Sequence, residues 1–204
     1  MTNIFLKAKH WQLFLLMIGV PLLSQVHMYL KIWPINSSST SEIVTDERGF
    51  TQVLDEKFIQ FDWYPIFLLS FSLLFFGWLW SLAIGLQKWA PTGISMKTNR
   101  FKIFFFIPLI YILLIFTSWT GIISGNGSIF KLNFGGMISI IIPLHLISMF
   151  GIFHSIYFAA KTIKTVDLKR KVGFGDFAGE FFLIWFYIFG IWIIQPKVNK
   201  LSRD

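Results

Sequence analysis

The chain has 204 residues, of which 55% are hydrophobic, 19% aromatic and only 14% charged, with a formal net charge of +8 and a mean hydropathy of +0.66. A soluble domain carries about 25% charged residues because its surface faces water, so this composition excludes one and points to burial in lipid. Cysteine is absent, which excludes disulfides, thiol nucleophiles and cysteine-ligated metal centres.

The first apolar block runs from Trp11 to Leu30, behind Lys7, Lys9 and His10. At about 20 residues it matches the ~30 Å hydrocarbon core and exceeds a signal-peptide core. No small-x-small cleavage site precedes the break at Trp33-Pro34, so the block is expected to stay as a helix. Residues 31–62 follow as the one sizeable external loop, with a hydroxyl-rich run from Ser37 to Ser41 and carboxylates from Glu42 to Asp62. Within it, Phe50 to Phe61 reads either as a short strand pair or as an amphipathic helix on the membrane surface.

Three more blocks, 64–86, 103–123 and 137–160, each have the ~17–25 residues of a spanning helix. Pro108 and Pro143 are expected in the first turns of their helices, where a missing N–H is tolerated. The last block, Phe181 to Ile194, has 14 residues, which make a helix of roughly 21 Å, short of a crossing. It opens at Glu180 and stops at Gln195-Pro196. It reads as a re-entrant or interfacial segment, or else as a short, tilted fifth span. Gly173, Gly175 and Gly179 ahead of it predict a hinge, because no strand precedes them and no Lys-Ser/Thr follows to make a phosphate loop.

Basic residues set orientation. The N-terminal stub, the loop after 86, the segment after 160 and the tail carry two, four, five and three Lys or Arg, fourteen in all, against four (Lys31, Arg48, Lys57, Lys131) in the loops of the other side. That bias predicts a multi-pass protein of the inner (cytoplasmic) membrane with both termini in the cytoplasm. A spanning fifth helix would export the three tail cations, so the count favours the re-entrant reading.

Small residues recur at helical spacing in two blocks: Gly77, Ser81 and Gly85 in the second, with Ser70 before them, and Ser148, Gly151, Ser155 and Ala159 in the fourth. Such stripes let helix backbones approach closely in lipid. Either the two stripes pack on each other within one chain, or one of them faces another subunit. Both blocks are followed by a basic loop and a similar aromatic run, Phe105-Phe106-Ile107 to Tyr111-Ile112 and Phe181-Phe182-Leu183 to Tyr187-Ile188, the outline of an internal repeat.

Ionisable groups within membrane helices are candidate functional groups, and His145 and His154 qualify. Nine residues apart, they point to nearly opposite sides of a helix and cannot share a metal. Each is either a neutral imidazole hydrogen-bonded in the bundle or part of a pore or proton relay. The run Lys161, Lys164, Lys169, Arg170 and Lys171 forms a basic cytoplasmic face. It suits topological anchoring and anionic lipid, at roughly 1 kcal/mol per cation near the surface, or an acidic cytoplasmic partner. Aromatics do not interleave with these cations as they do on single-strand nucleic-acid platforms. Neither Gly-x-Ser-x-Gly nor His-Glu-x-x-His occurs, and no Arg is followed by a His at the spacing of HEPN-type RNases, so no enzyme, metal or cofactor is expected.

The tail, Gly179-Glu180-Phe181-Phe182-Leu183-Ile184-Trp185-Phe186 with Gly190-Ile191-Trp192-Ile193-Ile194-Gln195-Pro196-Lys197-Val198-Asn199, resembles a segment that ends small uncharacterised polytopic membrane proteins of Bacteroidetes-type bacteria. It covers about a tenth of the chain and implies no activity. In size and helix number the chain also resembles small membrane proteins encoded beside bacterial immune enzymes. These include accessory proteins of RNA-targeting CRISPR systems and membrane-disrupting effectors of cyclic-nucleotide defence.

The expected fold is an all-α integral membrane protein with a single membrane domain. It is a bundle of about four transmembrane helices plus the short C-terminal re-entrant, interfacial or fifth helix. The expected function is a non-enzymatic, self-associating membrane effector or accessory component, in antiviral defence by the second resemblance. The alternative is a small transporter or channel subunit with His145 near its pathway.

Overall fold

In a computed structural model of the chain, residues 2–23, 25–27, 29–30, 43–45, 51–53, 64–119 and 134–203 are described. Two short helices open it, α1 (Thr2–Lys7) and α2 (His10–Phe14). The Lys9 amide donates to Gln12 Oε1 at 2.9 Å, so the start of α2 satisfies one of its orphan donors. From there the chain runs through a π-helical turn, Leu15–Gly19, into helical residues at 20–23, 25–27 and 29–30. Within residues 31–62, β1 (Ile43–Thr45) pairs antiparallel with β2 (Thr51–Val53), Ile43 opposite Val53. Of the two readings of that loop the strand pair is the one seen, with its partner strand upstream of Phe50. Expectations falling on the rest of 31–63 and on 120–133 lie outside the described residues.

The remaining elements are α3 (Tyr64–Ala83), a 3-10 turn (Gly85–Trp89), α4 (Thr98–Trp119), α5 (Phe134–Leu168), α6 (Phe174–Trp185) and α7 (Tyr187–Leu201). Among the described residues three helices are long and apolar enough to cross a membrane, over Phe67–Trp89, Thr98–Thr117 and Ser139–Leu168.

Several boundaries differ from expectation for identifiable reasons. α5 does not stop at Ala160, because its apolar face continues through Ile163 and Val166, both buried. The Thr162 and Thr165 hydroxyls turn back onto the carbonyls of Phe158 and Lys161 at 2.9 and 2.7 Å. Residues 161–168 of the expected basic run are therefore helix. α4 and α5 also begin earlier than predicted, which places Pro108 and Pro143 inside their helices rather than in the opening turns.

The C-terminal block is two helices, not one. The hinge expected over 173–179 is instead the first turn of α6, and the chain bends at Phe186 (φ −87°, ψ 55°). α7 then runs through Pro196 to Leu201. Pro196 is exposed, so the carbonyl it leaves without an amide lies on an outer face. α6 and α7 form an antiparallel hairpin. Glu180 meets Lys197 at its open end, and at its tip Gly190 crosses so close to Leu183 that an added Cβ would overlap the Leu183 carbonyl. Only glycine permits that approach. The arms are about 18 and 22 Å long at ~1.5 Å per residue, too short to cross ~30 Å. The hairpin leaves one end of the bundle and returns to it, as a re-entrant segment does.

α5 is the central element, packing on α4, α6 and α3, with α6 on α7 and α1 on α3. The fully buried side chains gather towards one end of the bundle: Trp78, Leu79 and Leu82 from α3, Phe101 from α4, Ala159 and Ile163 from α5, and Ile191 and Ile194 from α7. This is the end rich in lysine and arginine, and it holds the candidate site.

Candidate functional site

α7 carries polar residues on its inner face, and each reaches a group that would otherwise be stranded. The break between α1 and α2 leaves backbone carbonyls without helical partners, a costly state away from water. Gln195 Nε2 donates to the Phe5 carbonyl at 2.8 Å and to that of Ala8 at 2.9 Å, and Asn199 Nδ2 adds a bond to Ala8 at 3.1 Å. On its other side Gln195 Oε1 accepts from Trp78 Nε1 at 2.9 Å. One fully buried amide thus ties the N-terminus, α3 and α7 together.

Beside this knot lies a closed ring of alternating charge. Lys197 Nζ is 2.7 Å from Asp167 and 2.9 Å from Glu180, and Lys164 Nζ is 3.6 Å from Asp167 and 3.2 Å from Glu180. Two lysines and two carboxylates cancel, which is the arrangement that makes partly buried charge tolerable. Burial alone would raise the Glu180 carboxyl. Hydrogen bonds from Lys197, a backbone amide and Lys164 outweigh it and hold the group below the usual carboxylate value. Burial likewise works against the Lys197 cation, but Asp167 and Glu180 prevail and raise it. At the mouth of α6, Asp176 accepts from Arg170 at 2.8 Å and from the Gly173 amide at 2.9 Å. The Arg170 bond, followed by that amide, keeps the Asp176 carboxyl below its usual value, in the first turn where an anion is favoured.

The predicted basic face is therefore divided. Lys164 and Arg170 are neutralised by carboxylates of the same chain, and Lys161 lies 6.0 Å above the Tyr157 ring. Lys169, at φ 51°, and Lys171 are exposed.

Both small-residue stripes are used inside the chain. An added Cβ on Gly77 would meet the Phe5 ring of α1 at 2.9 Å, and one on Gly151 would meet the Phe104 carbonyl of α4 at 2.6 Å and the Pro108 ring at 2.9 Å. The close approaches are thus made to α1 and α4, and neither glycine has the other stripe as its nearest neighbour. Ser81 and Ser155 are buried and return their hydroxyls to the carbonyls of Gly77 and Gly151, at 2.9 and 2.8 Å. Gly85, Ser148 and Ala159 are buried.

The two histidines both lean on α4. His145 is exposed, with Nδ1 3.2 Å from the Tyr111 hydroxyl. His154 packs at a tilt against Phe104 with ring centroids 4.4 Å apart, and its Nδ1 is buried without a hydrogen-bond partner among the described residues. The described residues hold no group of three metal-ligating side chains.

At the other end of the hairpin, Trp185 packs at a tilt against Phe153 with centroids 4.4 Å apart, which brings the tip alongside the middle of the Ser139–Leu168 segment. The tip's outer side is apolar and bare: Phe186, Phe189 and Ile193 are 60%, 72% and 56% exposed. Between the tip and α3, α4 and α5 lies an open crevice of about 300 Å³.

Reading residue types along the chain singled out Lys164 and Glu180 but missed Gln195, Asn199, Trp78, Asp167 and Lys197. A signal was present: Gln195 and Asn199 stand one turn apart on the face shared with Ile191 and Val198, a polar stripe within an apolar one. No family model, curated protein or solved structure matches this chain.

Proposed function

We propose that this chain is a non-enzymatic, multi-pass component of the inner membrane that acts on the bilayer itself. In this reading the block 11–30 is a fourth crossing beside the three candidate spans, and the α6–α7 hairpin enters only the cytoplasmic leaflet. The observation that carries it is the hairpin's shape: two arms too short to cross, a bare aromatic tip, and a base fixed by the charge ring. A wedge in one leaflet expands that leaflet alone and stresses the packing around it. Orientation follows from the basic residues, because a hairpin that returns keeps the tail cations with the other basic segments, fourteen against four. Lys169 and Lys171 then face anionic headgroups or an acidic cytoplasmic partner. The role is that of an effector or accessory component, as in the defence-associated membrane proteins of similar architecture. The chain self-associates in this reading through outward faces such as Leu146 and Ile147, since Gly77 and Gly151 are closed within the chain.

The test is release of a self-quenched dye from vesicles of mixed neutral and anionic lipid. Wild type is expected to permeabilise them and the hairpin-opening variant Gly190→Leu to do so far less. Vesicles that stay tight with folded wild type at every lipid composition would overturn the reading. Transport past His145 has less support: His145 is exposed and tied to Tyr111, and it is absent from the lining of the crevice. Solute flux in liposomes abolished by His145→Ala would favour transport instead.

A further inference from the structure

The crevice beside the hairpin tip has its own chemistry. Phe71 and Phe75 of α3, Met149 and Phe153 of α5, and Trp185 and Tyr187 on either side of the Phe186 bend line it. On α5 these residues come from the middle turns of the span-length segment Ser139–Leu168, and on α3 from the second and third turns of Phe67–Trp89. No lining side chain is charged, and the one serine, Ser72, already gives its hydroxyl to the Leu68 carbonyl at 2.7 Å. A polar solute would find no counter-charge there, and water would find too few partners.

The crevice is open and not enclosed, so hydrocarbon of a surrounding bilayer can reach it. The backbone at the adjoining bend is paired within the hairpin, the Phe186 amide donating to the Phe182 carbonyl at 2.8 Å and the Gly190 amide to the Phe186 carbonyl at 2.9 Å, so it needs no water from the crevice. About 300 Å³ is the low end of the ~300–1,000 Å³ range of ligand pockets, room for one slender chain and not for a ring system with its headgroup. The tail of a phospholipid can enter while its headgroup stays at the interface.

We infer that the crevice is a specific site for one acyl tail of a bilayer phospholipid, seated between the hairpin tip and the spanning helices. The inference rests on the chain's lying in a bilayer with the hairpin inserted beside α5, but not on its permeabilising vesicles.

The experiment uses the full chain in vesicles containing a phospholipid with a photoreactive diazirine near the end of one tail, followed by peptide mapping. Label is expected to concentrate on Met149, Phe153 and Trp185 over Leu146 and Ile147, which are 60% and 50% exposed on the same helix. Ile152→Trp, which fills the crevice, should abolish label on Trp185 and leave that on Ile147; Met149→Phe is the milder filling if the first variant does not fold. Equal labelling of crevice and outer face, labelling that survives the filling, or labelling by a photoreactive free fatty acid alone would each overturn the site. Absence of dye release with crevice labelling intact would remove the effector role and leave the lipid site standing.

Discussion

α4 and the α6–α7 hairpin are written in nearly the same apolar letters and fold differently. With Phe105 set on Phe181, both read Phe-Phe, then an aliphatic residue, then Tyr-Ile at the same spacing. α4 holds a proline at 108 and still runs unbroken for 22 residues. The hairpin has Ile184 at that place and bends two residues later. Proline therefore does not decide the break. Among the positions that differ in kind, α4 presents Phe104, Leu114 and Trp119 where the hairpin presents Glu180, Gly190 and Gln195. Each of these three makes a bond or an approach that requires α7 to turn back: Glu180 to Lys197, Gly190 past Leu183, Gln195 to Trp78 and the α1–α2 break. An apolar segment crosses or returns according to where its few polar groups find partners.

Exchanging those residues should break the difference. The largest effect is expected from Gly190→Leu, which installs the α4 residue at the crossing. Overpacking in a core ordinarily costs about 1–3 kcal/mol, and here the clash is with backbone, so a loss at or above the upper figure is expected in thermal unfolding in detergent. The reverse change, Leu114→Gly on exposed α4, should cost only about 1 kcal/mol. Equal melting of the two variants would dissolve the comparison.

Gln195→Leu comes next. It strands the Trp78 indole and the carbonyls of Phe5 and Ala8, at roughly 1–3 kcal/mol for each buried group left unpaired. Asn199 still reaches Ala8, so a total near 3 kcal/mol is expected, with the N-terminus becoming the first segment open to protease.

Glu180→Gln leaves two lysines facing Asp167 alone. Breaking a buried pair costs about 3–5 kcal/mol, reduced to about 1–3 here because the lysines are more than a fifth exposed. The pH dependence has a definite sign. Glu180 is lowered in the fold, so its contribution is complete above its unfolded value and is lost as acid takes the solution through the folded one. Lys197 is raised, so its contribution is complete below its unfolded value and is lost as alkali passes the folded one. Melting temperature should be flat at neutral pH and fall on both sides, and Glu180→Gln should shrink the acid limb while leaving the share of Asp176, which is lowered as well. The smallest effect, below about 1 kcal/mol for one exposed hydrogen bond, is expected for His145→Ala in the same melts.

The contrast also marks what could be read along the chain. The membrane class and the blocks that became α3, α4 and α5 follow from composition and length, because burial in lipid requires apolar runs and little else. The hairpin was visible only as a block too short to cross. Its bend at Phe186 carries no local signal, since neither proline nor a left-handed glycine stands there, and partners far away in the chain impose it. The same holds for the site. Lys164 and Arg170 read as free cations because their carboxylates, Glu180 and Asp176, lie beyond the turn at 169–173. The spacing of the small residues points to close contact as a type, while the neighbours of Gly77 and Gly151, Phe5 and Phe104, have nothing in their neighbourhoods to mark them.

Since cysteine is absent from the chain, the return of the hairpin can be measured without background. Single substitutions Lys7→Cys, Phe189→Cys and Lys200→Cys would be exposed to a membrane-impermeant maleimide in intact cells and in inverted vesicles. Lys7→Cys and Lys200→Cys should react only in inverted vesicles, and Phe189→Cys at the tip in neither. Reaction of Lys200→Cys from outside intact cells, with Lys7→Cys protected, would mean that the C-terminal block crosses, and the hairpin account would be wrong.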